Sequence, residues 1–213
     1  MKRLLRSLRE NGVYVFGSQV IGRIFSVIRN TLIARHLGVK KITIGPRSYL
    51  RGLSSISMGD DISVGEGFWL EAIRRYNDQV FSPRISIGNH VCISRGVHIA
   101  ATHFVEIGEN VLIGSKVIIT DHNHGQYSRE HTSPKIAPAL RPLDHNRRVV
   151  IGRNVWLSDG VVVTPGSSIG EGAVIGANSV VRGNIPPFTI AAGVPAKVFR
   201  IYDFDAKKWI KVE

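Results

Sequence analysis

From Val149 to Arg182 the chain reads VVIGRN VWLSDG VVVTPG SSIGEG AVIGAN SVVR, and the spacing within this stretch decides the fold. Ile151, Leu157, Val163, Ile169, Ile175 and Val181 recur every six residues without a slip. Two places ahead of each stands a second small or branched residue: Val149, Val155, Val161, Ser167, Ala173 and Ser179. Alternate residues of a strand share a face, so each pair points inward together. The Gly or small polar residue that usually follows lets the chain turn before the next short strand. A fixed short period marks a solenoid, and a period of six marks an all-β parallel β-helix with Ile and Val stacked inside it.

Working outward, the same rhythm runs through Ile42-Thr43-Ile44-Gly45, Met58-Gly59, Val64-Gly65, Ile87-Gly88, Ile93-Ser94, Ile107-Gly108, Ile113-Gly114 and Ile119-Thr120. The long final run ends at Ile185-Pro186-Pro187, where proline stops strand pairing. A β-helix domain over 42–198 is therefore expected, with insertions near 68–84 and 121–148 and a tail, 199–213, forming a short helix or arm. Insertions of this length are uncommon in compact domains unless they carry function. The second gathers Asp121, His122, His124, His131, Asp144 and His145; the first holds Trp69, Glu71, Arg74, Arg75 and Tyr76. That first group suits stacking on and hydrogen bonding to a sugar, although a Trp beside a solenoid can equally cover its apolar flank.

The 213 residues suit one domain with an appendage. A single cysteine, Cys92, excludes an internal disulfide framework, and its place between inward Val91 and Ile93 turns it outward. Net charge is +12, and residues 1–41 carry nine Lys and Arg against Glu10 alone. Such asymmetry points to an anionic partner, a membrane surface before nucleic acid, and no nucleic-acid partner is expected. Residues 3–37 read as an amphipathic helix, with Val13, Phe16, Val20, Ile24, Ile28 and Leu32 at three- and four-residue spacing. Gly12, Gly17 and Gly22 weaken it enough to allow a break. Arg23, Arg29 and Arg35 interrupt any membrane-spanning run, and no signal peptide is evident. The segment either lies on an anionic leaflet or caps the open end of the solenoid, and the two roles are compatible. The expected location is the cytoplasm, peripheral to the inner face of the plasma membrane if the helix meets lipid.

Chemistry is most readable at Thr120-Asp121-His122-Asn123-His124-Gly125. A His leaving a strand end is held firmly yet exposed, and its ordinary pKa of about 6.5 suits a general base. The plainer alternative is a surface loop with two solvated histidines. The hexapeptides, this segment, Asn154-Val155-Trp156 and Ala192-Gly193-Val194-Pro195-Ala196-Lys197 together resemble the hexapeptide-repeat acyltransferases, most closely the O-acetyltransferases of O-antigen and capsular-polysaccharide biosynthesis. The resemblance covers roughly residues 42–201. It implies a left-handed β-helix, a homotrimer with sites between subunits, and acetyl-CoA as donor. It also implies His122 as catalytic base, with His124 as the substitute if the loop register differs. Family contacts to the pantetheine arm match Asp159 and Ala177, with Trp156 adjacent, and the CoA phosphates match Arg182, Lys197 and Arg200. The chain departs from the pattern in Trp156-Leu157-Ser158, where relatives have Trp-Ile-Gly, and in Gly183-Asn184 before Ile185-Pro186, where Arg182 supplies the charge of a missing Lys. Trp69, Glu71, Arg74 and Tyr76 are the candidate acceptor site.

The function expected is acetyl transfer to a sugar hydroxyl of a bacterial surface polysaccharide or its lipid-linked glycan precursor, by direct attack on the thioester. N-acetylation of a nucleotide-linked amino sugar is the alternative. A zinc-dependent carbonic anhydrase would need three converging histidines from His98, His103, His122 and His124, whose spacing does not mark a set, so no metal is expected. A non-enzymatic scaffold would leave the histidine loop without a role.

Overall fold

The computed structural model describes residues 2–127, 131–144 and 146–212, with the side chains of the first helix given for Val13, Gly17 and from residue 20 onward. Three parallel sheets form the walls of a triangular solenoid, and successive strands of the chain pass from one wall to the next. Sheet A stacks Ile42–Ile44, Ile62–Val64, Cys92–Ile93, Leu112–Ile113, Trp156–Leu157 and Val174–Ile175. Sheet B stacks Tyr49–Arg51, Trp69–Ala72, His98–Ala101, Ile118–Thr120, Val162–Val163 and Val180–Val181. Sheet C stacks Ile56–Met58, Arg84–Ile87, Phe104–Ile107, Val149–Ile151, Ser168–Ile169 and Asn184–Ile185. The inward pairs read from the sequence are buried without exception, Val149 with Ile151 through Ser179 with Val181. The two serines in this dry row are satisfied: Ser167 Oγ donates to the Val181 carbonyl and Ser179 Oγ accepts from the Gly193 amide.

Strand alternation also fixes what each wall shows outside. Sheet A presents Cys92, Leu112, Trp156 and Val174 in register, and Cys92 is exposed. Sheet B presents Tyr49, Trp69, His98, Ile118, Val162 and Val180. Sheet C shows Ser57, Ser86, Glu106, Val150, Ser168 and Asn184. Along these rows sheets A and B are largely apolar outside, and sheet C is polar apart from Val150 and Phe104.

Both open ends are covered. Helix α1 (Lys2–Leu37) is unbroken despite its glycines, and a Cβ on Gly17 or Gly22 would meet nothing, so their cost is one of propensity alone. Ile33, Ala34 and Leu37 pack on the core, and the Arg29 guanidinium donates to the Ile44 and Gly45 carbonyls at the end of the first strand. The apolar residues Val13, Ile24, Ile28 and Leu32, whose spacing marked the helix, face solvent instead.

At the other end the chain resumes beyond the prolines. Thr189–Gly193 adds to sheet A, and Ala196–Asp203 and Lys208–Lys211 continue it antiparallel. The tail expected as a short helix or arm is thus an arm in the form of a β-hairpin. The free edge of sheet A offers it unpaired backbone groups, and Phe188, Tyr202, Phe204 and Trp209 cluster over it with ring centroids 5.0–5.2 Å apart.

The first excursion is shorter than the sequence implied. Phe68, Leu70 and Ala72 occupy inward positions of sheet B, so Trp69 and Glu71 sit on the wall rather than in a loop. Phe68 in place of an aliphatic hid this coil. What leaves the solenoid is 73–83, with the antiparallel pair Arg75–Tyr76 and Gln79–Val80.

Candidate active site

The strand Ile118–Thr120 of sheet B delivers His122 to the corner between sheets B and C. Inward alternation runs Val117, Ile119, Asp121, so the strand's last inward residue is a carboxylate, fully buried. A buried charge needs partners, and the coil below supplies them. Asp121 Oδ1 accepts from the Thr102 amide (2.9 Å) and hydroxyl (3.2 Å). Its Oδ2 accepts from the His103 and Phe104 amides, each at 2.7 Å. The fifth partner is His122 Nδ1, 2.9 Å from Oδ1. Burial pushes the Asp121 carboxyl up, but the bonds from His122, Thr102 and His103 together outweigh it and hold the group below its ordinary value.

An ionised Asp121 accepts a hydrogen bond from His122 Nδ1–H, which keeps the proton on Nδ1 and leaves the lone pair on Nε2, the tautomer a base requires. Thr120 Oγ1 stands 3.1 Å from the same Nδ1 and braces the ring. The His122 side chain is 12% exposed, so a small reactant can reach it while bulk water is mostly excluded. Asp121 was visible in the sequence only as one acid among several. The overlooked signal is its place two residues beyond an inward Ile, which puts a carboxylate in the core.

The two excursions dock on each other beside this corner. Gln79 exchanges hydrogen bonds with Leu143, accepting from its amide at 2.6 Å and donating to its carbonyl at 3.2 Å. Tyr76 donates its hydroxyl proton to the Ala139 carbonyl (2.5 Å) and stands 3.2 Å from His124 Nδ1. With that proton spent, the hydroxyl accepts from His124, whose ring lies edge-on to Tyr76. His124, on the strand Asn123–His124 paired with Leu143–Asp144, is more exposed than His122. Asp144 is held by Arg147 at 3.0 Å, His131 is exposed, and His145 lies outside the described residues.

On the wall below, Tyr49, Trp69 and His98 form an outward ladder with ring centroids 5.0 and 5.1 Å apart. Burial lowers the His98 pKa and His122 lowers it further, against an opposing pull from Glu71. Glu71 accepts from Arg51 (3.0 Å) and from the Trp69 indole (3.1 Å), so its carboxylate is committed to fixing the wall. Arg74 turns away and donates to the Ser54 and Ser55 hydroxyls, and so does not join Trp69 and Glu71. Among the described residues no group of three or more His, Cys, Asp or Glu gathers as metal ligands would.

The residues matched to CoA divide between two edges. Trp156 is 47% exposed on the outside of sheet A, on the same row as Val174, Ile190 and Arg200. Lys197 pairs with Ala192 on the hairpin. Asp159 and Ala177 occupy successive turns between sheets A and B, and Asp159 Oδ1 accepts from the Ser115 amide at 2.5 Å. Arg182 lies instead at the corner between B and C, stacked over Thr164 and Thr120. Asp159 and His122 therefore sit at opposite edges of sheet B, on the order of 15 Å apart at the rise of a strand.

Residues 148–183 match the family model described as bacterial transferase hexapeptide (six repeats). The chain is 44% identical over 165 residues to "Putative lipopolysaccharide biosynthesis O-acetyl transferase WbbJ" of Escherichia coli K12, covering 76% of this chain and 80% of that protein. It belongs to the hexapeptide-repeat acyltransferases. Within that family it is also 33% identical over 150 residues to the galactoside O-acetyltransferase of the same organism, covering 70% of this chain and 68% of the relative. A hexapeptide-repeat acetyltransferase of Vibrio cholerae, crystallised with acetyl coenzyme A, shares the fold at a TM-score of 0.52 and 23% identity, over 83% of this chain and 78% of that one. This hexapeptide-repeat enzyme is a left-handed β-helix that catalyses acyl transfer.

Proposed function

We propose that the enzyme transfers an acetyl group from acetyl-CoA to a hydroxyl of a bacterial surface-polysaccharide sugar or its lipid-linked precursor, with His122 as general base. The carrying observation is the Asp121–His122 pair at a strand end, with the Nδ1 proton committed and Nε2 free. The kinship to two O-acetyltransferases supports the acceptor class. In this reading Nε2 takes the hydroxyl proton as the oxygen attacks the thioester carbon. The tetrahedral intermediate then collapses, the C–S bond breaks, and the departing thiolate recovers the proton from His122. Asp121 stabilises the transient imidazolium.

Trp156, Asp159, Ala177, Lys197 and Arg200 hold CoA along sheet A and its corner with sheet B, and Arg182 adds charge at the far corner. Trp69 is the acceptor's stacking surface. Glu71 and Tyr76 hold the walls around it. The separation of His122 from Asp159 supports a homotrimer in which a neighbouring copy completes each site. A cyclic trimer needs two different contact faces per subunit, and sheets A and B offer two apolar ones. On α1, Ile21, Ile24, Phe25, Ile28 and Leu32 are exposed among Arg23 and Arg35, a surface suited to an anionic leaflet on the cytoplasmic side. No helix of the described residues is long and apolar enough to cross a membrane.

The test is acetyl-CoA turnover, read as thiol release, with lipid-linked glycan as acceptor. His122→Ala is expected to lower glycan-dependent turnover at least about a hundredfold. Unchanged turnover would move the base to His124 or dismiss this loop. Competition between amine and hydroxyl acceptors separates O-transfer from the N-transfer alternative.

A further inference from the structure

The polar wall carries a row of cations that the acetyl-transfer chemistry leaves unused. Arg84 and Phe104 lie opposite each other at the start of neighbouring strands of sheet C. Arg148 continues the row, since Val105 pairs with Val149, and its guanidinium carbon sits 4.3 Å over the Phe104 ring. In the other direction Ser55 precedes Ile56, the partner of Ile85, and anchors Arg74. A hollow of about 350 Å³ opens between Ser82, Arg84, His103, Phe104 and Arg148. Two further hollows extend it past Ser54, Ser55 and Ser57 to Arg74.

Several exposed cations elsewhere pair from coil to coil, Arg47 with Glu66, Arg51 with Glu71 and Arg153 with Glu171. Among the described residues, Arg84 and Arg148 join no ion pair, and Arg74 donates only to serine hydroxyls. Glu106 holds the next outward position of the Phe104 strand, also without an ion pair among those residues. Two arginines flanking an aromatic ring at two strand spacings stand roughly 10 Å apart at their backbones. Their planar forks can close on the oxygens of one diphosphate, with serine hydroxyls as further donors. The row also begins beside the chemistry, because the His103 and Phe104 amides hold Asp121.

We infer that the Arg84–Phe104–Arg148 strip, with Arg74 at its end, binds the diphosphate of an acceptor whose sugar is presented to His122. The inference rests on the acetyl-transfer proposal and narrows its acceptor to diphosphate-linked sugars. The diphosphate could join the sugar to a polyprenyl lipid or to a nucleoside, and the experiment distinguishes the two.

Inorganic pyrophosphate binding is measured by calorimetry on the wild type, Arg84→Gln, Arg148→Gln and Arg148→Lys, with and without saturating acetyl-CoA. Acetyl transfer is measured in parallel to a polyprenyl-diphosphate sugar, a UDP-sugar and the same sugar without diphosphate. The expected result is pyrophosphate binding that survives acetyl-CoA and weakens about tenfold with each Gln variant, with Arg148→Lys between. The KM for one diphosphate acceptor should rise by a similar factor while kcat and the KM for acetyl-CoA hold, and that acceptor identifies the source. Binding that is equal in all variants, or is abolished by acetyl-CoA, overturns the inference. So does a wild type that uses the free sugar as well as either diphosphate form. If no acceptor is acetylated yet Arg-dependent pyrophosphate binding persists, the failure lies with acetyl transfer and the strip keeps its ligand class.

Discussion

Replacing Asp121 by Asn changes one atom of a fully buried group and separates its two roles. Each carboxylate oxygen accepts from at least two donors: Oδ1 from Thr102 and His122, Oδ2 from the His103 and Phe104 amides at 2.7 Å. An amide side chain must turn its NH2 toward one pair, setting donor against donor. If it faces His103 and Phe104, two buried amides lose their acceptor. If it faces His122, the imidazole must carry its proton on Nε2 and cannot act as base. Two unsatisfied buried donors cost about 3 kcal/mol, a fall of roughly 6–12 °C in Tm for a chain of this size. Loss of the base tautomer lowers kcat by about 10²–10⁴. Because the folded pKa of Asp121 is depressed, its contribution to stability is complete above the unfolded value and is lost as pH falls through the folded one. The stability gap between wild type and Asp121→Asn should therefore hold constant from pH 8 to about pH 5 and close only in stronger acid. Urea titration across pH and thiol-release kinetics read both effects. Wild-type kcat in a folded Asp121→Asn enzyme would refute the role of the Asp121 charge in supporting the His122 base, since either orientation of the amide removes that charge.

Trp156→Glu, on the apolar outside of sheet A, should dissociate the expected trimer and abolish turnover, which light scattering and kinetics read together; a trimer that persists would remove this face from the interface. Phe25→Asp with Ile28→Asp should reduce flotation with anionic vesicles by about tenfold or more while leaving turnover on a soluble acceptor unchanged, and equal flotation would end the membrane role of α1. Gly170→Val should destabilise by about 3 kcal/mol, since even its Cβ would lie 2.3 Å from the Pro187 backbone nitrogen; an unchanged urea midpoint would contradict the tight coil stacking.

The six-residue period needed no tertiary information to yield the solenoid and its inward rows, because strand alternation is local and every coil repeats it. The breaks in that period located both excursions, although Phe68 in an inward position made the first look longer than it is. His122 was legible as a histidine leaving a strand. Its partner was not, because the donors to Asp121 come from residues 102–104, a full coil earlier in the chain. The docking of Gln79 on Leu143 and of Tyr76 on Ala139 spans more than sixty residues and follows no sequence pattern. The tail formed strands because an unpaired edge of sheet A was waiting for it, a circumstance absent from residues 199–213 themselves. Likewise, Arg84 and Arg148 are 64 residues apart in sequence and become neighbours of one aromatic ring only when the coils stack. The sequence by itself determined the repeating, local geometry. The folded chain decided every feature that depends on which coil lies above which, since those contacts join side chains a coil or more apart in the chain, and no single repeat encodes its neighbour's outward residues.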